Sequence, residues 1–89
     1  MIDIEDIKDM GEESGRDESA DHYPYLLPPN YRLLYRYGRA RAQGLYELRG
    51  KAARAFAYAW AVGYEANIDM WKRDGLLPGE ESDEQEDVA

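Results

Sequence analysis

Residues 51–73 read KAARAFAYAWAVGYEANIDMWKR, and this stretch decides the fold. Ala55, Ala59, Gly63, Ala66 and Met70 recur every three or four residues and share one side of a helix. They form a stripe of mostly small side chains, which lets a neighbouring backbone approach closely. Phe56, Trp60, Tyr64 and Trp71 lie on an adjacent side, at spacings of four, four and seven. Lys51, Arg54, Tyr58, Glu65, Asp69 and Lys72 make the polar side, and Asp69 can pair with Arg73 one turn on. Gly75 and Pro78 end the pattern.

A second helical pattern precedes it, over 31–48. Asn30 follows two prolines and suits an N-cap. Arg32, Arg36 and Arg39, continued by Gln43 and Glu47, share a narrow basic face. Tyr31, Leu34, Tyr35, Gly38, Ala42 and Leu45 form an apolar face beside it, widened by Leu33, Tyr37, Gly44 and Leu48. Gly50 is placed to end this helix as a left-handed cap, which predicts an all-α antiparallel hairpin of 31–48 against 51–73. The alternative is one long helix through Gly50, in which Glu47 and Lys51 would pair. Two helices cannot cover both aromatic faces, so dimerisation into a four-helix bundle is expected to complete the core. Small chains without disulfides or metals commonly need such help.

Outward from this domain, 30–75, the sequence changes character. His22-Tyr23-Pro24-Tyr25-Leu26-Leu27-Pro28-Pro29 is an aromatic, proline-punctuated strap, suited to lie across the helices or to serve as a ligand for another protein. Residues 1–21 carry nine acids and two bases. Within them, 11–21 hold no apolar residue larger than alanine and are expected to be disordered. Ile4 and Ile7 allow a short helix over 3–10. The tail, 76–89, is also expected to be disordered. Between Tyr31 and Tyr64 there are seven bases and one acid, Glu47, so a chain of net charge −8 has a basic middle.

Composition excludes most chemistry. The 89 residues contain no cysteine and a single histidine, His22. Disulfides, thiol catalysis and cysteine-based zinc sites are therefore absent. The serines, Ser14, Ser19 and Ser82, all fall in the acidic stretches, away from any candidate base. No calcium-loop spacing occurs, and Gly75-Leu76-Leu77-Pro78-Gly79 ends a helix where a phosphate cradle would open one. No enzyme activity, cofactor or metal is expected. The longest uncharged run in the apolar region, Ala55 to Tyr64, is half a membrane span, and the acidic N-terminus is unlike a signal peptide. The expected location is the cytoplasm.

Binding remains, and the leading expectation is a small regulator or inhibitor that contacts another protein. Tyr, Trp and Arg are enriched at binding hot spots. Phe56, Trp60, Tyr64 and Trp71 are the candidate contacts to a partner or a second copy, with Arg32, Arg36 and Arg39 as electrostatic contacts. The acidic ends would add solubility and reach, or act as a nucleic-acid decoy by analogy with small acidic phage inhibitors. Two alternatives stand beside it. Arg32, Arg36, Arg39 and Arg41, interleaved with Tyr31, Tyr35 and Tyr37, are the residue types that bind RNA or a ribosome. Self-assembly into a structural component is the other. Residues 57–64, AYAWAVGY, loosely resemble the Trp-x-x-Gly-aromatic ending of ribosome modulation factors. The likeness covers about a tenth of the chain; those proteins are basic and this one is acidic.

Overall fold

Asp3 opens the first helix by accepting from the Glu5 amide at 3.4 Å, and Glu5 and Asp6 complement the helix dipole in its first turn. In the computed structural model, which describes residues 3–77, this helix is α1, Ile4–His22. It is followed by α2, Tyr31–Leu45, and α3, Gly50–Arg73. The described residues form no strand, and the fold is all-α. The tail expected over 76–89 lies mostly outside the described residues.

Residues 11–21 are helical, which corrects the expectation of disorder. Gly11, Gly15 and Ser19 recur every four residues and are buried. A Cβ on Gly11 would stand 2.5 Å from the Phe56 carbonyl oxygen, and one on Gly15 would fall on the Trp60 carbonyl oxygen. Gly63 answers from α3, where a Cβ would strike the Glu12 carbonyl oxygen. The two backbones therefore touch along their length. Close packing supplies through many short dispersion contacts what large side chains supply elsewhere. Ser19 fixes the far end, donating to the Arg16 carbonyl at 2.7 Å and accepting from Asn67 at 2.8 Å. Since Gly11, Gly15 and Ser19 meet Phe56, Trp60 and Asn67 in that order, α1 and α3 run parallel.

Asn30 caps α2 as its sequence implies, accepting from the Leu33 amide at 3.3 Å. The helix stops at Leu45, three residues short of the expected 48, and residues 46–49 connect it to α3. The continuous helix through Gly50 is thereby excluded. Glu47 takes the left-handed conformation after the helix end, with φ 55°, and the Leu48 amide turns back to the Ala42 carbonyl at 2.9 Å. Gly50 is also left-handed, φ 57°, but it begins α3 instead of ending α2. Left-handed backbone is costly for a residue with a Cβ. Glu47→Gly should therefore raise stability by about 0.5–1 kcal/mol, read as a higher thermal midpoint. An unchanged or lower midpoint would show that Glu47 is not strained.

At its other end α3 closes as predicted. Gly75, φ 69°, lets the Leu76 amide reach the Trp71 carbonyl at 2.9 Å and its own amide reach Lys72 at 3.2 Å. The helix lies between its neighbours. Phe56, Trp60, Ala57, Ala61 and Tyr64 are buried with Leu34 and Ala42 of α2 and Ile7 of α1. Gly38 allows α2 to sit directly on Ala57 and the Trp60 Cβ. The aromatic faces are thus covered within one chain, because α1 supplies the wall assigned above to a second copy. The small-residue stripe is divided as well. Ala59 and Gly63 are buried against α1, Ala55 is half-buried, and Ala66 and Met70 are exposed.

The strap joins α1 to α2 through a cis Tyr23–Pro24 bond. Leu26 and Leu27 pack on the core while Tyr25 points outward. The strap is tied to α3 at both ends. Tyr23 packs against Trp71, ring centroids 4.8 Å apart and tilted by 48°, and donates to the Leu76 carbonyl at 2.6 Å, and the Leu27 amide donates to the Tyr64 hydroxyl at 3.0 Å.

Candidate interaction surface

Of the residues singled out in the sequence, the structure brings the aromatic set inward. Phe56, Trp60 and Tyr64 are each 0% exposed, and Trp71 is half-buried under Tyr23. These side chains are engaged within the chain. His22 and Tyr64 form one polar unit: His22 Nδ1 lies 2.6 Å from the Tyr64 hydroxyl, which also accepts from Leu27. Burial pushes the Tyr64 phenol above its ordinary value, so it stays a neutral donor and acceptor under the strap.

A second polar unit was not foreseen. Glu18 of α1 accepts from Arg41 Nε with both oxygens, at 3.0 and 2.8 Å, and from the Trp60 indole at 3.2 Å. Tyr37 stacks almost parallel on the same indole, 10° off and 6.2 Å away. One carboxylate thus ties α1 to α2 and α3 together. Arg41 belonged to the candidate RNA-binding set, and here it serves this junction. Next to it, Met10, Glu13, Ser14, Asp17, Leu45 and Tyr46 border a groove of about 460 Å³ between α1 and α2. The sequence signal for Glu18 was its place three residues after Gly15, visible only once 11–21 is read as helix.

The arginines of α2 are placed differently. Arg32 and Arg36 are exposed and Arg39 is half-buried, its Nε enclosed and without a hydrogen-bond partner. Beside them three tyrosines cluster across the α2–α3 junction. Tyr31 lies 5.9 Å from Tyr35 and 6.1 Å from Tyr58, with Tyr31 47% and Tyr58 54% exposed. Burial, and then the neighbouring phenols, push Tyr31 above its ordinary value. The ion pairs Lys8–Glu5, Arg16–Glu12 and Arg41–Glu18 all draw their acid from α1. Arg32, Arg36 and Arg39 take part in none of them.

Ser19 is buried and bonded to Arg16 and Asn67, and Ser14 stands on α1 without a histidine beside it. Among the described residues, no group of three or more His, Asp or Glu side chains is placed to hold a metal ion. No helix among them is long and apolar enough to cross a membrane. No family model, curated protein or solved structure matches this chain.

Proposed function

We propose that this chain is a non-catalytic protein-binding regulator that works as a homodimer. It takes an acidic segment of a partner protein on the α2 face formed by Arg32, Arg36 and Arg39 with Tyr31, Tyr35 and Tyr58. One observation supports this above the others. Among the described residues there are abundant acids, yet the exposed Arg32 and Arg36 of α2 pair with none of them, whereas the bases of α1 do. Arginine beside tyrosine is the composition of a binding hot spot, and charge complementarity sets encounter rate and partner choice. Phe56, Trp60 and Tyr64 then support the surface from beneath it.

The clustered tyrosines also suit stacked bases, which is the competing RNA reading. Net charge favours protein. A chain of −8 repels a long polyanion as a whole, while a short acidic segment meets only the local basic face. Photo-crosslinking separates the two. A benzophenone side chain introduced at Tyr31, exposed on this face, should capture a protein through peptides rich in Asp and Glu, with the yield unaffected by nuclease. The same group at Asp9 on α1 should give background. Arg32→Glu combined with Arg36→Glu should lower capture at least about tenfold with helix content unchanged. Capture that vanishes with nuclease would replace this reading with the RNA one, and equal capture from both positions would remove the α2 face from consideration.

A further inference from the structure

With α1 on one side of α3 and α2 on the other, a third face of α3 is left uncovered. It carries Lys51, Arg54, Tyr58, Val62, Glu65 and Asp69. Tyr58 is 54% and Val62 42% exposed, Lys51, Arg54 and Asp69 are exposed, and Glu65 is half-buried. The centre of the face is apolar, since no residue from Ala55 to Tyr64 is charged. From Lys51 to Asp69 its charges are segregated, the bases toward the N-terminal end and these two acids toward the C-terminal end; Lys72 and Arg73 follow in the last turn, beyond this span.

That order has a centre. Lys51 and Asp69 each lie nine residues from position 60, Arg54 and Glu65 lie six and five from it, and Tyr58 and Val62 lie two. The geometry points to a second copy of this chain docked antiparallel on α3, with the twofold axis beside position 60. In that register Lys51 faces the partner's Asp69, Arg54 faces the partner's Glu65, and Tyr58 packs on the partner's Val62. Each contact occurs twice, as an isologous interface requires. A parallel pairing would set Lys51 against the partner's Lys51 and Asp69 against the partner's Asp69, so charge selects the antiparallel form. Half-exposed Ala55 and exposed Ala66 leave room for the two helices to approach.

This rests on the dimer in the proposed function; Tyr58 borders both this face and the α2 face assigned to the acidic partner, while the charged contacts Lys51, Arg54, Glu65 and Asp69 belong to this face alone. Sedimentation over a concentration series at physiological salt tests it. The native chain should reach twice its 10.3 kDa mass. Arg54→Glu alone and Glu65→Arg alone should each raise the dimer dissociation constant at least about tenfold, because each sets like charges in contact at two places. An equimolar mixture of the two variants should recover the native mass, since both pairs in the mixed dimer are again complementary. Lys51→Glu and Asp69→Lys give an independent second pair, and circular dichroism confirms that each variant is folded. A native chain that stays at monomer mass overturns both this inference and the dimer in the proposed function. Native and single-variant chains that dimerise equally overturn this interface alone and leave a dimer through another face. Failure of the mixture to recover overturns the antiparallel register.

Discussion

Gly15→Ala should lower stability by about 3 kcal/mol, although alanine is the better helix former. In an exposed helix interior the same exchange favours folding by roughly 0.5–1 kcal/mol. At Gly15 the new Cβ would fall on the Trp60 carbonyl oxygen, with the Trp60 Cα 3.1 Å away. These are backbone atoms inside α3 and cannot rotate aside. The only relief is for α1 to move outward, which loosens the Gly11 and Gly63 contacts and stretches the bonds of Glu18 to Arg41 and Trp60. Overpacking typically costs about 1–3 kcal/mol, and the upper end applies where nothing flexible can yield. Gly44 provides the control. It lies within α2, and a Cβ there meets nothing within 4 Å. Gly44→Ala should therefore stabilise by about 0.5–1 kcal/mol. In a domain of this size each kcal/mol moves the thermal midpoint by roughly 4–8 °C, so the two alanines should shift it in opposite directions. If both raised it, α1 would not be packed on α3 as described.

The same glycines explain where sequence reading succeeded and where it failed. For α2 and α3 the apolar period, the Asn30 cap and the Gly75 stop are local signals, and each acts within a turn of its own residue. For α1 the local signal is weak, because 11–21 hold no large apolar surface to offset their ordering entropy. That criterion assumes helices meet through side chains. Gly11, Gly15 and Ser19 let the main chains meet directly, and the same spacing in Ala59, Gly63 and Asn67 on α3 is its counterpart. Both patterns stand in the sequence, but their significance depends on being brought opposite each other. The cover of the aromatic residues depends on the same helix. Without a third helix, Phe56, Trp60 and Tyr64 had no cover, so they were assigned to a partner and a second chain was invoked to bury them. The reason for a second copy now lies elsewhere, in the charge order along the outer face of α3. Arg32 and Arg36 needed no such tertiary information, because the period of α2 alone turns them away from the core.

Trp60→Ala is the substitution expected to cost most, about 3–5 kcal/mol. The indole is 0% exposed and lies between Tyr64, at 5.0 Å, and Tyr37, at 6.2 Å. Removing it opens a cavity at the point where all three helices converge, and Gly15 and Gly38 bring the flanking backbones too close to contribute side chains that could refill it. It also takes from Glu18 the indole donor, leaving Arg41 to hold the carboxylate. Natural domains have about 0.05–0.15 kcal/mol of stability per residue, so a loss of this size approaches the whole of it for so short a chain. Trp60→Phe separates the two contributions. It keeps an aromatic ring and gives up the indole N–H, so its cost should include about 1 kcal/mol for the lost hydrogen bond and remain well below that of alanine. Urea denaturation measures both, through the midpoint at unchanged slope. An alanine variant that kept its midpoint while partner capture failed would return Trp60 to the contact surface and remove it from the core. A lowered midpoint, with capture lost only as the chain unfolds, would leave α2 as the face the partner meets.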